Sequence, residues 1–281
     1  KTASRKASRL TGIPKLDDAV RAGTSRSSDC TLILTEGDSA KSMAIAGLSV
    51  IGRETFGVFP LKGKLLNVRD ASNQTVMQNA EVQNVMKIMG LNIGRTYEDT
   101  STLRYGHILI MTDQDHDGSH IKGLIINLLH HFWPSLLHIQ DFLQVFITPI
   151  VKCTRGRQTR TFYTTPEYTA FVATTDIQQW KVKYYKGLGT SNAAEAREYF
   201  SNLQRNRIPF ERMPTTGTPL IDMCFAKNKV HERKEWISSY QHGTHMDFNV
   251  QQLTYNDFVH KEYIIMAVQS NLRAIPHVMD G

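Results

Sequence analysis

The chain has 281 residues, with 33 Lys and Arg against 26 Asp and Glu for a formal charge of +7, and 41% hydrophobic and 21% charged residues. That is ordinary globular composition with a moderate basic excess, which excludes intrinsic disorder, collagen-like repeats and a histone-like charge. Three well-separated cysteines, Cys30, Cys153 and Cys224, suggest neither a disulfide framework nor a cysteine-based zinc site and fit a reducing compartment. No apolar run reaches the ~18 residues of a membrane span, because Gly123 to Ile139 carries His130, His131, Pro134 and His138. The chain begins at Lys1, with no initiator Met and no signal-peptide core, so it is expected to be a segment of a longer protein.

Residues 1–29 hold seven Lys and Arg and three Asp, four of the seven net positive charges, and read as a basic connector. Thr31 to Glu36 is a short β-rich apolar run ended by Gly37-Asp38, which predicts a buried strand; Asp38 or Ser39 then caps a helix through Met43, Ala44, Gly47 and Ile51 that stops at Gly52. Gly57 to Leu61 is a second apolar strand, and Asn73 to Gly90 has helical periodicity. A third strand, His107 to Thr112, runs into Asp113-Gln-Asp-His-Asp117-Gly118, with an apolar helix expected over Ile121 to Leu137 and a fourth strand over Gln144 to Val151. Apolar strands alternating with helices predict an α/β fold with a parallel sheet flanked by helices on both faces. Beyond Lys152 the sequence turns to a Thr-rich hairpin, Thr154 to Thr165, then to a Gly-flanked loop, Lys186-Gly-Leu-Gly189, and to mostly helical segments over 191–203, 229–240 and 255–269. A boundary is therefore expected near residue 150, with a mostly helical α+β region after it.

In a parallel sheet, ligands collect at the carboxyl ends of the strands. Here the first strand ends in Glu36 and the third in Asp113, Asp115 and Asp117. Carboxylates so close repel one another unless protons or a hard cation intervene, and oxygen-only donors suit Mg²⁺. Acids that merely cap helix N-termini are the plain alternative, weakened by two clusters at matching strand ends. An EF-hand loop would need a bidentate Glu at its twelfth position, which is Leu124. A phosphoaspartate hydrolase is disfavoured by Asp117, which stands where that family normally has Thr or Val.

Glu36-Gly-Asp-Ser-Ala40 together with Asp113-Gln-Asp-His-Asp-Gly-Ser-His120 resembles the signature pair of the Toprim domain of topoisomerases and primases. Further segments resemble eukaryotic-type DNA topoisomerase II of the type IIA class: Pro60-Leu-Lys-Gly-Lys-Leu-Leu-Asn-Val-Arg69, Thr148-Pro-Ile150, Lys186-Gly-Leu-Gly-Thr190, Arg233-Lys-Glu-Trp236 and Thr254-Tyr-Asn-Asp-Phe258. The likeness runs from Gly12-Ile-Pro-Lys15 to the last residue. It implies a basic connector over 1–29 from an ATPase and transducer region, a Toprim domain over 30–150, and over 151–281 an extension leading to a winged-helix domain.

The resemblance implies two-metal phosphoryl transfer on double-stranded DNA. Glu36, Asp113 and Asp115 are then the catalytic residues and ligands of Mg²⁺, for which Mn²⁺ substitutes, with Asp117 an outer ligand through water. Lys64, Asn67, Arg233 and Lys234 match positions that contact DNA; Lys186 and Lys62 are further candidates, Lys62 standing where many eukaryotic relatives carry Arg. His116 is read as tuning charge within the row, and His120, His130 and His131 as packing or capping residues. The nucleophilic tyrosine would come from a partner protomer's winged-helix domain and ATP would be used by the preceding domain, so this chain alone is expected to be inactive. A homodimer without membrane attachment, located in the nucleus or alternatively in a mitochondrion or other DNA-containing organelle, completes the implication. The competing readings are a DNA-binding or assembly module with structural acids, and another Toprim enzyme, a primase or nuclease.

Overall fold

The computed structural model describes residues 10–214 and 218–274; the first nine residues of the basic connector lie outside the described residues. Strand β1 (Thr31–Glu36) leads into helix α1 (Gly37–Ile51), followed by β2 (Phe56–Leu61), the short α2 (Asn73–Gln78), α3 (Ala80–Met89), β3 (His107–Met111), α4 (His116–Phe132) and β4 (Leu143–Phe146). An antiparallel pair, β5 (Val151–Arg155) and β6 (Gln158–Phe162), precedes α5 (Thr165–Thr174), β7 (Lys181–Tyr184), α6 (Ala193–Ser201), α7 (Leu203–Asn206) and β8 (Arg207–Pro209). The rest is helical: α8 (Pro219–Phe225), α9 (Val230–Ser238), α10 (Tyr255–Asp257), a π-helical turn at Phe258–Tyr263 and α11 (Ile264–Ala274).

The main sheet has the order β2-β1-β3-β4-β8, parallel except for β8. Alternation along its central strands sorts the side chains into two cores. Leu32, Leu34, Ile108 and Ile110 pack with α3 and α4, whereas Ile33, Leu109 and Met111 pack with α1 and α6. The predicted parallel sheet covered on both faces is therefore present. Half of one cover comes from beyond residue 150: α6 lies so close on α1 that a Cβ at Gly47 would stand 2.2 Å from the Phe200 ring. A second sheet, β6-β5-β7, holds its own small core of Val151, Cys153, Phe162 and Trp180.

Several sequence expectations shift for identifiable reasons. The helix after β1 begins at Gly37 without a side-chain cap, so neither Asp38 nor Ser39 caps it. Asp38 pairs instead with Lys15 at 2.7 Å. The segment from Asn73 to Gly90 is two helices, because Asn79 takes an extended conformation and its side chain accepts the Val82 N–H as the cap of α3. The helix expected from Ile121 starts five residues earlier, capped by Asp115, and ends before Pro134, which opens a separate 3₁₀ turn. The expected fourth strand stops at Phe146, and Val151 opens β5 in the other sheet. Helix α5, opened by a full capping box of Thr164 and Glu167, follows the hairpin where the sequence reading places no helix.

Candidate metal and nucleic-acid site

The carboxyl ends of β1 and β3 are adjacent because the two strands pair in parallel, Thr31 with His107 through Thr35 with Met111. That register sets Glu36 beside the residues that follow β3. The Asp113 N–H donates to Glu36 Oε2 at 3.2 Å, and Asp113 Oδ1 accepts the Leu188 N–H at 2.7 Å. Asp115 caps α4, its Oδ1 accepting the Gly118 N–H at 2.9 Å. Asp117, in the first turn of α4, forms an ion pair with Lys64 Nζ at 2.7 Å. The sequence thus brings the four acids to one sheet edge as expected.

Burial raises the Glu36 carboxyl from 4.5 to about 7, and the neighbouring charges of Asp113, Asp115 and Asp117 push the same way against the Asp113 N–H bond. Asp113 is also raised, first by burial and then by Asp115, although the Leu188 N–H opposes the shift. The row is therefore an electrostatically crowded, oxygen-only donor set, the chemistry that a hard divalent cation relieves. Its present arrangement serves protein donors: among the described residues no three acids, histidines or cysteines stand in metal-ligating geometry.

The expected DNA contacts separate into two kinds. Lys62, Lys64, Lys186 and Lys234 are exposed. Asn67 is exposed as well and also acts as a strut: its Nδ2 donates to the Phe225 carbonyl at 3.0 Å, and its Oδ1 accepts from Asn127 Nδ2 at 2.9 Å and from the Arg69 N–H at 3.1 Å. Arg233 Nη1 donates to the carbonyls of Met223 and Ala226 and so fastens α9 to the end of α8. His116 opens α4 within the acid row, His120 meets Tyr263 edge-on with ring centroids 6.3 Å apart, and His130 Nδ1 lies 2.8 Å from Arg69 Nη2.

Two features of the site had no clear signal in the sequence. The loop after β7 lies directly on the acid row: besides the Leu188 bond, a Cβ at Gly187 would come 2.4 Å from Asp113 Oδ2. In the sequence the two glycines of this loop read as flanks of Lys186, not as a seat for Asp113. The other feature is the group of Ser119, Lys122 and Glu262 behind the first turn of α4. A cleft of about 840 Å³ also opens beside Asp115 and His116, bounded across from them by α5, Tyr240 and the 242–246 loop.

Known families fit this arrangement. Residues 31–150 match the Toprim domain, and residues 146–271 match the C-terminal associated domain of TOPRIM. The probable DNA topoisomerase 2 of Dictyostelium discoideum is 54% identical over 271 residues, covering 96% of this chain and 18% of that protein. DNA topoisomerase 2-beta of Homo sapiens is 50% identical over 297 residues, covering the whole chain and 18% of the relative. The chain belongs to the eukaryotic DNA topoisomerase II family. A solved structure of the Plasmodium falciparum topoisomerase II DNA-binding, cleavage and re-ligation domain superposes with a TM-score of 0.92 at 50% identity, covering 97% of this chain and 37% of that one. The chain is therefore homologous to the Toprim-containing cleavage and religation region of type II topoisomerases, and it spans 18% of the length of these curated relatives.

Proposed function

We propose that the chain supplies the metal-binding half of the DNA cleavage and religation site of an ATP-dependent type II DNA topoisomerase, which passes one duplex through a transient break in another. The observation that carries this reading is the convergence of Glu36, Asp113 and Asp115 at adjacent strand ends with a raised Glu36 carboxyl. Glu36, Asp113 and Asp115 would hold Mg²⁺, or Mn²⁺ in its place, with Asp117 further out. An ion held there would supply positive charge to offset the negative charge that develops as a phosphodiester is cleaved. Glu36, with its carboxyl near 7, can hold or release a proton close to neutral pH. Lys64, Lys62, Lys186 and Lys234 offer exposed ammonium groups to duplex phosphates. Asn67 and Arg233 are proposed to contact the duplex too, and their bonds to Phe225, Met223 and Ala226 support an added role in shaping the loops that carry them.

Lys64 gives the site a further property. Its ammonium pairs with Asp117, and a phosphate that drew it away would leave the Asp117 charge less neutralised beside the acid row. Duplex and divalent ion are accordingly expected to bind with positive linkage. The division at about residues 30–150 and 151–281, the homodimer, the use of ATP by a preceding domain and of a tyrosine from a following one, and a nuclear location belong to the same proposal. The names of the Homo sapiens and Dictyostelium relatives, both DNA topoisomerase 2, support the topoisomerase part of it. Among the described residues no helix is long and apolar enough to cross a membrane.

The test is a titration of Mn²⁺ into the chain, followed by electron paramagnetic resonance, for the wild type, Glu36→Ala and Asp113→Ala. Binding that both substitutions remove supports the proposal. Binding that neither changes would leave the acids structural and favour a DNA-binding and assembly module.

A further inference from the structure

The first turn of α4 is held from behind by a residue of the C-terminal region. Lys122 is 4% exposed, and its ammonium forms an ion pair with Glu262 Oε1. The same oxygen lies 2.9 Å from Ser119 Oγ, which in turn lies 3.0 Å from the backbone carbonyl oxygen of Asp115. That carbonyl also accepts the Ser119 N–H at 3.0 Å. A continuous polar path therefore runs from Glu262, through the Ser119 hydroxyl, to the peptide of the residue that caps α4.

Two observations mark this path as more than packing. Lys122 is buried and Glu262 keeps 13% of its side chain exposed, and an ion pair so far withdrawn from water seldom stabilises a fold better than apolar side chains of the same volume, which points to a specifying role. Glu262 also sits in the π-helical turn Phe258–Tyr263, an irregularity that is rare in helices and frequent at functional sites. The carboxylate fits its place chemically, since it accepts from both the Ser119 hydroxyl and the Lys122 ammonium while the hydroxyl has a single proton to share between Glu262 and the Asp115 carbonyl.

We propose that Glu262 is a positioning residue for the acid row: through Ser119 it fixes the first turn of α4, and so the directions in which Asp115 and Asp117 leave the backbone. The inference rests on the metal-site reading in that Asp115 is taken to be a ligand. It assigns to the C-terminal region control over the geometry of ligands carried by the Toprim sheet.

The test compares the wild type with Ser119→Ala, which breaks the path and leaves the ion pair, and with the paired replacement Lys122→Met with Glu262→Leu, which removes both charges of the pair together. Mn²⁺ affinity and amide hydrogen exchange at Gly118 are measured well below each variant's melting temperature. Ser119→Ala is expected to weaken Mn²⁺ about three- to tenfold, at or below the lower end of the loss typical for groups that directly support a metal ligand, and to speed exchange of the Gly118 amide. The paired replacement should give a similar loss, and adding Ser119→Ala to it should give little more. A purely structural role would lower melting temperatures while leaving affinity and Gly118 exchange in the folded chain untouched, and that result overturns the proposal, as would losses that multiply. Should Ser119→Ala fail to fold, the paired replacement decides by the same two measurements. If Asp113→Ala leaves Mn²⁺ affinity unchanged, the metal-site reading has failed separately, and exchange at Gly118 still decides whether Glu262 orders the turn.

Discussion

Replacing Glu36 with Gln should make the metal-free chain more stable at neutral pH while leaving it unchanged in acid. Glu36 ionises near 4.5 in the unfolded chain and at about 7 in the fold, so between these values the folded state holds a proton that the unfolded state has released. The stability conferred by this protonation is fully present below pH 4.5 and is lost as pH rises through about 7. The difference in ionisation corresponds to about 3 kcal/mol, which solvent screening at a half-buried carboxyl reduces to about 2 kcal/mol. Glutamine keeps an oxygen to accept the Asp113 N–H and carries no charge at any pH, so Glu36→Gln should gain that ~2 kcal/mol over the wild type at pH 7.5 and nothing at pH 4.5. His120, His130 and His131, each lowered chiefly by burial, act in the opposite sense and reduce stability as pH falls through 6.5. Both proteins carry these histidines, so the difference between the two stability profiles isolates Glu36. Urea denaturation in chelator at half-unit steps from pH 4.5 to 7.5 reads it directly. Parallel profiles would refute the reasoning, because they would mean that burial and the neighbouring acids together do not raise the Glu36 carboxyl. Adding Mg²⁺ should reverse the order, stabilising the wild type and not Glu36→Gln.

Gly187→Ala drives a Cβ against Asp113 Oδ2 and should weaken Mn²⁺ binding at a stability cost of about 1 kcal/mol; wild-type affinity by paramagnetic resonance would contradict the seating of Asp113 by this loop. Lys64→Ala breaks an ion pair whose side chains are both about half exposed, 48% and 54%, so stability should change by less than ~1 kcal/mol. The salt dependence of duplex binding should flatten by about 0.9 log unit, and the gain in Mn²⁺ affinity on adding duplex should shrink; a fluorescence-anisotropy titration at several salt concentrations checks both. Gly47→Ala should destabilise by about 2 kcal/mol through overpacking against the Phe200 ring, and Phe200→Leu in the same chain should recover part of the melting temperature.

What could be read from the sequence follows from the range of the interactions involved. β1 and β3 are buried on both faces, and such strands appear as unbroken apolar runs; the acids at their ends converge because parallel register leaves little choice. Hence Glu36, Asp113, Asp115 and Asp117 could be grouped before any coordinates. Element boundaries failed where a polar side chain turned to the backbone: the cap at Asn79 splits a continuous periodic segment, and the cap at Asp115 starts α4 ahead of its apolar stripe. The seat of Asp113 on Leu188 and the link from Glu262 to Ser119 join residues 75 and 143 positions apart. Local periodicity carries no trace of contacts at that separation. Asn67 and Arg233 show the converse limit, since a motif marks such residues for DNA without revealing their bonds to Phe225, Met223 and Ala226.

The acid row is carried by the Toprim sheet and aimed from outside it. The α6 helix covers the face of β1 and β3 that α1 leaves open, the loop after β7 fixes Asp113 through the Leu188 N–H, and Glu262 reaches Ser119 behind Asp115. All three come from beyond residue 150. A strand end fixes where a carboxylate leaves the backbone, but its rotamer and the turn that follows are set by what packs against them. Movement of the C-terminal region relative to the sheet would therefore alter Asp113 and Asp115 together, since each is bonded or braced by a separate element of that region. In this arrangement the spacing of the carboxylates, and with it the divalent-ion binding proposed for them, should follow how the C-terminal region is seated.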